Sequence, residues 1–249
     1  MVSEELEDLY KQGKYRELIK TVGDIKCLDD AETLLMVGRA YYQLGEYEKA
    51  KIIMEELRTL WLPTEEIGDS ARRMLAHCFL QGESDINAAD SLLREIPESP
   101  DRDNLRMNLM ITAARKGLVI PVEVVVEIAT NALESSVPAT PVMGHTINNG
   151  ALILYETRDR ETTKPYLYLM PIFIFAAIGI YKGTNTAKNH IAAAQFRASK
   201  ICEATGNLDI ARGAAQKSVE LWQELVGSQG GARYQQNLEG AEAQLKKLS

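Results

Sequence analysis

LLMVGRAYYQLGEYEKAKIIMEEL, residues Leu34 to Leu57, carries two apolar stripes of helical spacing with almost nothing between them. Leu34, Val37, Tyr41 and Leu44 recur three and four residues apart, so they share one face of a helix that ends at Gly45. Tyr47, Ala50, Ile53, Met54 and Leu57 do the same in the next helix. So short a joint forces an antiparallel hairpin, and one hairpin cannot bury both of its stripes without further layers. Gly38 and Ala50 are the small side chains that let the two helices approach closely, with Tyr41 and Tyr47 filling the volume around them.

The pairing recurs on both sides. A first layer, 1–28, runs from Glu4 to Gln12, turns at Gly13 and continues from Tyr15 to about Ile25; the quoted stretch is the core of the second, 29–63. The third, 64–100, pairs Glu66–Gln81 with a helix through Ala88, Ala89, Leu92 and Leu93, turning around Gly82 to Asp85. In the fourth, 101–137, a helix from Asp103 to Lys116 stops at Gly117 and Pro121 opens the next, although the Val122–Val126 run has poor helix propensity. The fifth, 138–182, begins with Thr140 as N-cap and Pro141 in the first turn, and its second helix is the apolar stretch Thr163 to Tyr181. The sixth, 183–227, pairs Ala187–Thr205 with Leu208–Val226, whose Trp222 points inward. GSQGG, Gly227 to Gly231, reads as a hinge before a capping helix at 232–248.

Bulk properties narrow the function. The 249 residues carry 28 Lys and Arg against 35 Asp and Glu, a net charge of -7 that gives no positive field for nucleic acid. Cys27, Cys78 and Cys202 are far apart and form no C-x-x-C pair, which fits a reducing, cytoplasmic compartment. The opening residues carry acid where a secretory signal would carry base, so no signal peptide is expected. Between Lys164 and Lys182 no residue is charged, but the run is short for a bilayer and holds Pro165 and Pro171. It is expected to be a helix buried on all sides rather than a membrane segment.

Leu34 to Leu57 resembles a tetratricopeptide repeat, with Gly38 and Ala50 at the small sites and Gly45 and Tyr47 at the turn. The same two sites match more loosely as Leu6 with Leu18, Ala76 with Ala88, Met110 with Val122, and Ser199 with Ala211, with Ala151 standing for the fifth layer. TINNGALILY, Thr146 to Tyr155, is similar to the first helices of kinesin-light-chain-type repeats. The resemblance implies an all-α, right-handed superhelical solenoid, one domain of about six antiparallel pairs plus the cap. It also implies a groove lined by the first helices that holds another protein or peptide. Counted from the small site, the groove residues would be Arg39; Arg73 and His77; Asn104, Asn108 and Arg115; His145, Asn148 and Asn149; and Arg197 and Lys200. Arg grips carboxylates and Asn reads peptide backbone, so the expected guest is an extended acidic or carboxylate-bearing segment. Leu35 stands where chaperone-tail clamps carry Lys, so such a tail is not the expected ligand.

Nothing points to catalysis, a cofactor or a metal. His77, His145 and His190 lack ligand spacing, Glu55-Glu56 and Glu65-Glu66 are ordinary helix-surface charge, and GSQGG lacks the Lys and spacing of a phosphate loop. The expected role is a non-enzymatic adaptor or co-chaperone. Two other readings stand beside it: a repeat protein that changes pitch when a signalling peptide enters, and a lipid or small-molecule binder built on residues 165–181. Exposure of that apolar helix would instead mark a homodimer interface.

Overall fold

The computed structural model describes residues 4–23, 30–60, 65–184, 186–228 and 231–249. Among these there are thirteen α-helices and no strand: α1 Glu4–Lys11, α2 Tyr15–Val22, α3 Ala31–Gln43, α4 Tyr47–Leu60, α5 Glu65–Cys78, α6 Ile86–Arg94, α7 Pro100–Arg115, α8 Val122–Glu134, α9 Pro141–Glu156, α10 Leu169–Gly183, α11 Lys188–Ala204, α12 Leu208–Val226 and α13 Gln235–Leu248. The expected all-α class and consecutive pairing hold. Cys27, the end of the first layer near Ile25 and two residues of GSQGG lie outside the described residues. The chain divides into two compact units, Met1–Leu109 and Met110–Ser249.

In the first unit, α3 packs on α4, α4 on α5, and α3 reaches past α4 to touch α5. The quoted hairpin closes as its composition requires. Gly45 takes φ +76°, its N–H donates to the Tyr42 carbonyl at 3.0 Å, and the Glu46 N–H donates to the Tyr41 carbonyl at 3.0 Å. That pair of bonds satisfies carbonyls a helix end otherwise leaves orphaned, and a left-handed residue is needed to make it. The same pair recurs after α1, α7 and α11, at Gly13, Gly117 and Gly206, each with positive φ. A Cβ at Gly38 would run into the Met54 Cε and stand 3.3 Å from the Ile53 Cγ2, while Ala50 is fully buried. The small-residue contact therefore exists as expected.

The third layer closes differently. No glycine occupies the left-handed position, so α5 widens into a π-helical turn, Phe79–Glu83, and Ser84 takes φ 56°. Gly82 serves packing instead, since a Cβ there would stand 3.2 Å from the Tyr47 Cβ. Between α6 and α7 lies a buried ion pair. Arg106 donates from Nε and Nη2 to Asp90 at 2.7 and 3.1 Å, Arg94 Nε adds a bond of 2.8 Å, and Asp90 and Arg106 are 6% and 7% exposed. Burial works to raise the Asp90 pKa, but the bonds from Arg106 and Arg94 outweigh it and hold the carboxyl below its usual range.

In the second unit, α8 forms despite its valines because Val122, Val125, Ile128 and Ala129 are buried, against α9 among other elements. Tertiary burial overrides weak propensity here. Thr140 caps α9 by accepting the Met143 N–H at 3.3 Å, with Pro141 in the first turn. Gly144 is a close approach the sequence reading did not single out: a Cβ there would stand 2.7 Å from the Tyr181 Cε1 of α10. At the end of GSQGG, where a hinge was expected, Gly231 is buried and a Cβ on it would stand 2.6 Å from the Val226 carbonyl oxygen. Beyond it α13 lays Leu238, Ala241 and Leu248 into the core as the expected cap.

The apolar stretch departs from expectation twice. It is not one helix from Thr163: a 3-10 turn, Lys164–Tyr166, precedes α10, which begins at Leu169, because Pro165 and Pro171 withhold backbone donors. Nor is it buried on all sides. Phe173, Ile174, Ala177, Ile178 and Tyr181 are buried, but Tyr168, Ile172 and Phe175 are exposed, since α9 and α11 cover only part of its circumference. Among the described residues no helix is long and apolar enough to cross a membrane.

These contacts separate two glycines of one hairpin. Gly144→Val should lower the unfolding free energy by about 1–3 kcal/mol through overpacking against Tyr181. Gly179→Ala, whose Cβ would meet nothing within 4 Å, should raise it by up to about 1 kcal/mol through helix propensity. Urea denaturation followed by circular dichroism reads both, and equal responses would contradict the packing described.

Candidate functional site

In the second unit the first helices of successive pairs are in contact, α9 with α11 and α11 with α13. Along them runs a cleft of about 520 Å³. Leu152, Tyr155 and Glu156 line it from α9, Phe196, Arg197 and Lys200 from α11, Gln236, Asn237 and Gly240 from α13, with Arg115 at the end of α7 and Trp222 behind. Helical periodicity explains the set, since residues three and four apart on neighbouring helices face the same side.

Three cations and one carboxylate line this cleft. None of Arg115, Arg197 and Lys200 is ion-paired among the described residues, whereas Lys188, Lys217 and Lys247 pair with Glu224, Glu220 and Glu203. Arg197 Nη1 donates to the Asn148 Oδ1 at 3.0 Å, and Asn148 Nδ2 donates to the Asn149 Oδ1 at 3.3 Å. Burial lowers the Arg197 pKa; Tyr181 counteracts this and the positive charge of Arg115 adds to it. Guanidinium basicity is high enough that the charge survives. Lys200 Nζ lies 4.4 Å above the Phe196 ring, so an aromatic face holds its ammonium.

Next to Asn148 on the same side of α9, the His145 Nδ1 lies 2.8 Å from the Tyr181 hydroxyl, and the His145 and His190 rings are 4.7 Å apart. Burial is the main cause of a lowered His145 pKa, with His190 and Arg197 adding to it. Burial likewise raises the Tyr181 pKa, so the phenol stays protonated. Among the described residues no group of three or more His, Cys, Asp or Glu is placed to hold a metal.

Of the residues nominated from sequence, Arg115, Arg197 and Lys200 line the cleft. Asn148 and Asn149 do not: they are 3% and 9% exposed, and Asn148 braces Arg197 from behind, a correction to their assignment as guest contacts. His145 is half-buried against Tyr181. The remaining candidates belong to the first unit and none of them lines this cleft. There Arg39 is half-buried on α3, Arg73 is exposed on α5, and His77 stacks edge-on to Tyr42 at 6.2 Å with its pKa lowered by burial. Asn104 is half-buried and Asn108 exposed on α7. Sequence reasoning missed Tyr155, Phe196, Gln236 and Asn237. Phe196, four residues before Lys200, and Tyr155, seven after Asn148, share the groove phase, but the expected groove counts only basic, imidazole and amide side chains; α13 read only as a cap although Gln235, Gln236 and Asn237 form a polar run at its start.

Two depressed histidines set a pH dependence. With folded pKa values below the ordinary 6.5 or so, the unfolded chain takes up protons first as pH falls. Their contribution to stability is therefore complete above about pH 6.5 and is lost as pH drops through the folded values. The urea midpoint should fall between about pH 7.5 and 5.5, above the range in which Asp90 titrates. The double variant His77→Asn with His145→Asn should flatten that slope; a wild-type midpoint constant over the window would contradict it.

No protein-family model matches the chain, and no curated protein matches it. Among solved structures it is similar to BtubC (BKLC) from P. vanneervenii, at 11% identity over 90% of this chain and 89% of that one, with a TM-score of 0.56. It is also similar to a chain of the APC/C hetero-tetramer Cut9-Hcn1, at 15% identity over 98% of this chain and 48% of that one, with a TM-score of 0.47. At this identity the likeness to BtubC speaks for the fold alone: an all-helical chain of consecutive pairs.

Proposed function

We propose that this protein is a scaffold that holds another polypeptide by a short acidic or carboxylate-bearing segment seated in the cleft of α9, α11 and α13. One observation carries the reading. In a chain of net charge -7, three cations converge on one concave surface that holds a single carboxylate, Glu156, and none of the three is ion-paired among the described residues. Clustered like charges oppose folding, and a partner's carboxylates supply the missing counter-charge. Arg115 and Arg197 offer planar forks suited to bidentate carboxylate binding, and Gln236 and Asn237 offer amides that donate to and accept from a peptide backbone. Tyr155, Phe196 and Trp222 supply apolar wall for a side chain between the acids.

The role is non-catalytic, in the adaptor or co-chaperone class, in a reducing cytoplasm. In keeping with this, burial pushes the Cys78 thiol up to about 12 and raises Cys202 as well, so neither thiol is poised as a nucleophile. The apolar helix α10 contributes no residue to the cleft, which weighs against the lipid-binding alternative.

Calorimetric titration with an Asp- and Glu-rich octapeptide containing one aromatic residue tests the reading. Arg197→Gln and Lys200→Gln should each weaken binding at least about tenfold, with affinity falling steeply as salt rises. Lys217→Gln, outside the cleft, should leave it unchanged. Affinity indifferent to Arg197, Lys200 and salt would end the proposal.

A further inference from the structure

The exposed side of α10 has an internal symmetry. Tyr168, Ile172, Phe175 and Gly179 follow one another at steps of four, three and four, so they form a single stripe along the helix. The first three are 66%, 49% and 39% exposed, although each is large and apolar. A glycine in mid-helix costs stability unless something must come close, and nothing of this chain lies within 4 Å of where a Gly179 Cβ would be.

We infer that a second copy of this chain packs antiparallel across that stripe, related to the first by a two-fold axis passing between Ile172 and Phe175. Such an axis makes residue i of one copy face residue j of the other, and j face i, as a symmetric dimer requires. Centred there, Ile172 of each copy meets Phe175 of the other, and Tyr168 of each meets Gly179 of the other. The largest side chain is laid on the one position without a side chain. The ends match as well. Lys182, exposed and unpaired among the described residues, closes one end of the stripe, and Glu161, its side chain 85% exposed and paired with Lys164, precedes the other in the chain. Antiparallel packing brings each lysine toward the glutamate of the second copy.

Charge argues against an anionic membrane as the occupant. Neighbouring α8 touches α10 and exposes Glu123, Glu127 and Glu134, none with a cation partner among the described residues. Those carboxylates would repel anionic headgroups. Three large side chains fall well short of the ~800 Å² per partner typical of stable complexes, so the dimer is weak and its population depends on concentration. This surface is separate from the cleft, and neither proposal relies on the other.

Sedimentation equilibrium of the full chain, from about 5 µM to about 500 µM, tests the pairing across the weak-affinity range. The wild-type mass should climb from 27.7 kDa toward twice that value. Phe175→Glu should weaken association at least about tenfold. Gly179→Leu is decisive, because it enlarges the apolar patch without disturbing the monomer, as its urea midpoint will verify. If the patch were merely sticky, Gly179→Leu would associate more strongly; in the antiparallel register it displaces Tyr168 of the other copy and should weaken the dimer at least about tenfold. A monomer at every concentration, undiminished association of Gly179→Leu, or binding of monomeric wild type to phosphatidylserine vesicles would each overturn the inference.

Discussion

Helices that must lie against one another along their length can do so only where a side chain gives way. In this chain the concession is made at Gly38, under Met54 and Ile53, and at Gly144, under the Tyr181 ring. From this constraint the rest follows. A close-packed hairpin leaves an apolar stripe on each flank, the next hairpin covers it, and the first helices of successive pairs come into contact, as α9, α11 and α13 do. Contact between alternate helices is what brings residues more than forty positions apart, Asn148 and Arg197 among them, within hydrogen-bonding distance.

The electrostatic character of the cleft rests on the same arrangement. Several cations elsewhere are answered locally, by carboxylates three or four residues away, as Lys217 is by Glu220. Such pairs draw little from the fold. Arg115, Arg197 and Lys200 come from two helices and lack such partners; an amide holds Arg197 and an aromatic face holds Lys200. On this electrostatic contrast rests the proposed capture of an acidic segment. The outer side of α10 is the opposite case: apolar, away from the cleft and patterned about its own midpoint.

Where local chemistry decides, the sequence was sufficient. Gly13, Gly45, Gly117 and Gly206 end helices with left-handed backbone, and Thr140 with Pro141 starts one. Three placements needed the third dimension. The apolar run from Thr163 has helical composition, but only the packed chain shows that helix geometry begins at Leu169 and that one side remains uncovered. Asn148 and Asn149 carry groove-like chemistry at groove-like phase, yet neighbouring helices bury them, and periodicity does not report how closely neighbours approach. The aromatic wall is hidden for the reverse reason: nothing in the sequence marks Phe196 and Tyr155 as lining a cleft and not filling a core, and only the packed chain shows that they line one.

Amide chemical-shift mapping of the isotopically labelled protein, titrated with an acidic peptide, addresses the central claim most directly. The account predicts saturable shifts gathered on Tyr155, Phe196, Arg197, Lys200 and Asn237, with residues 172–175 of α10 unmoved. Saturation with those cleft amides still and the shifts lying on the second helices would contradict it.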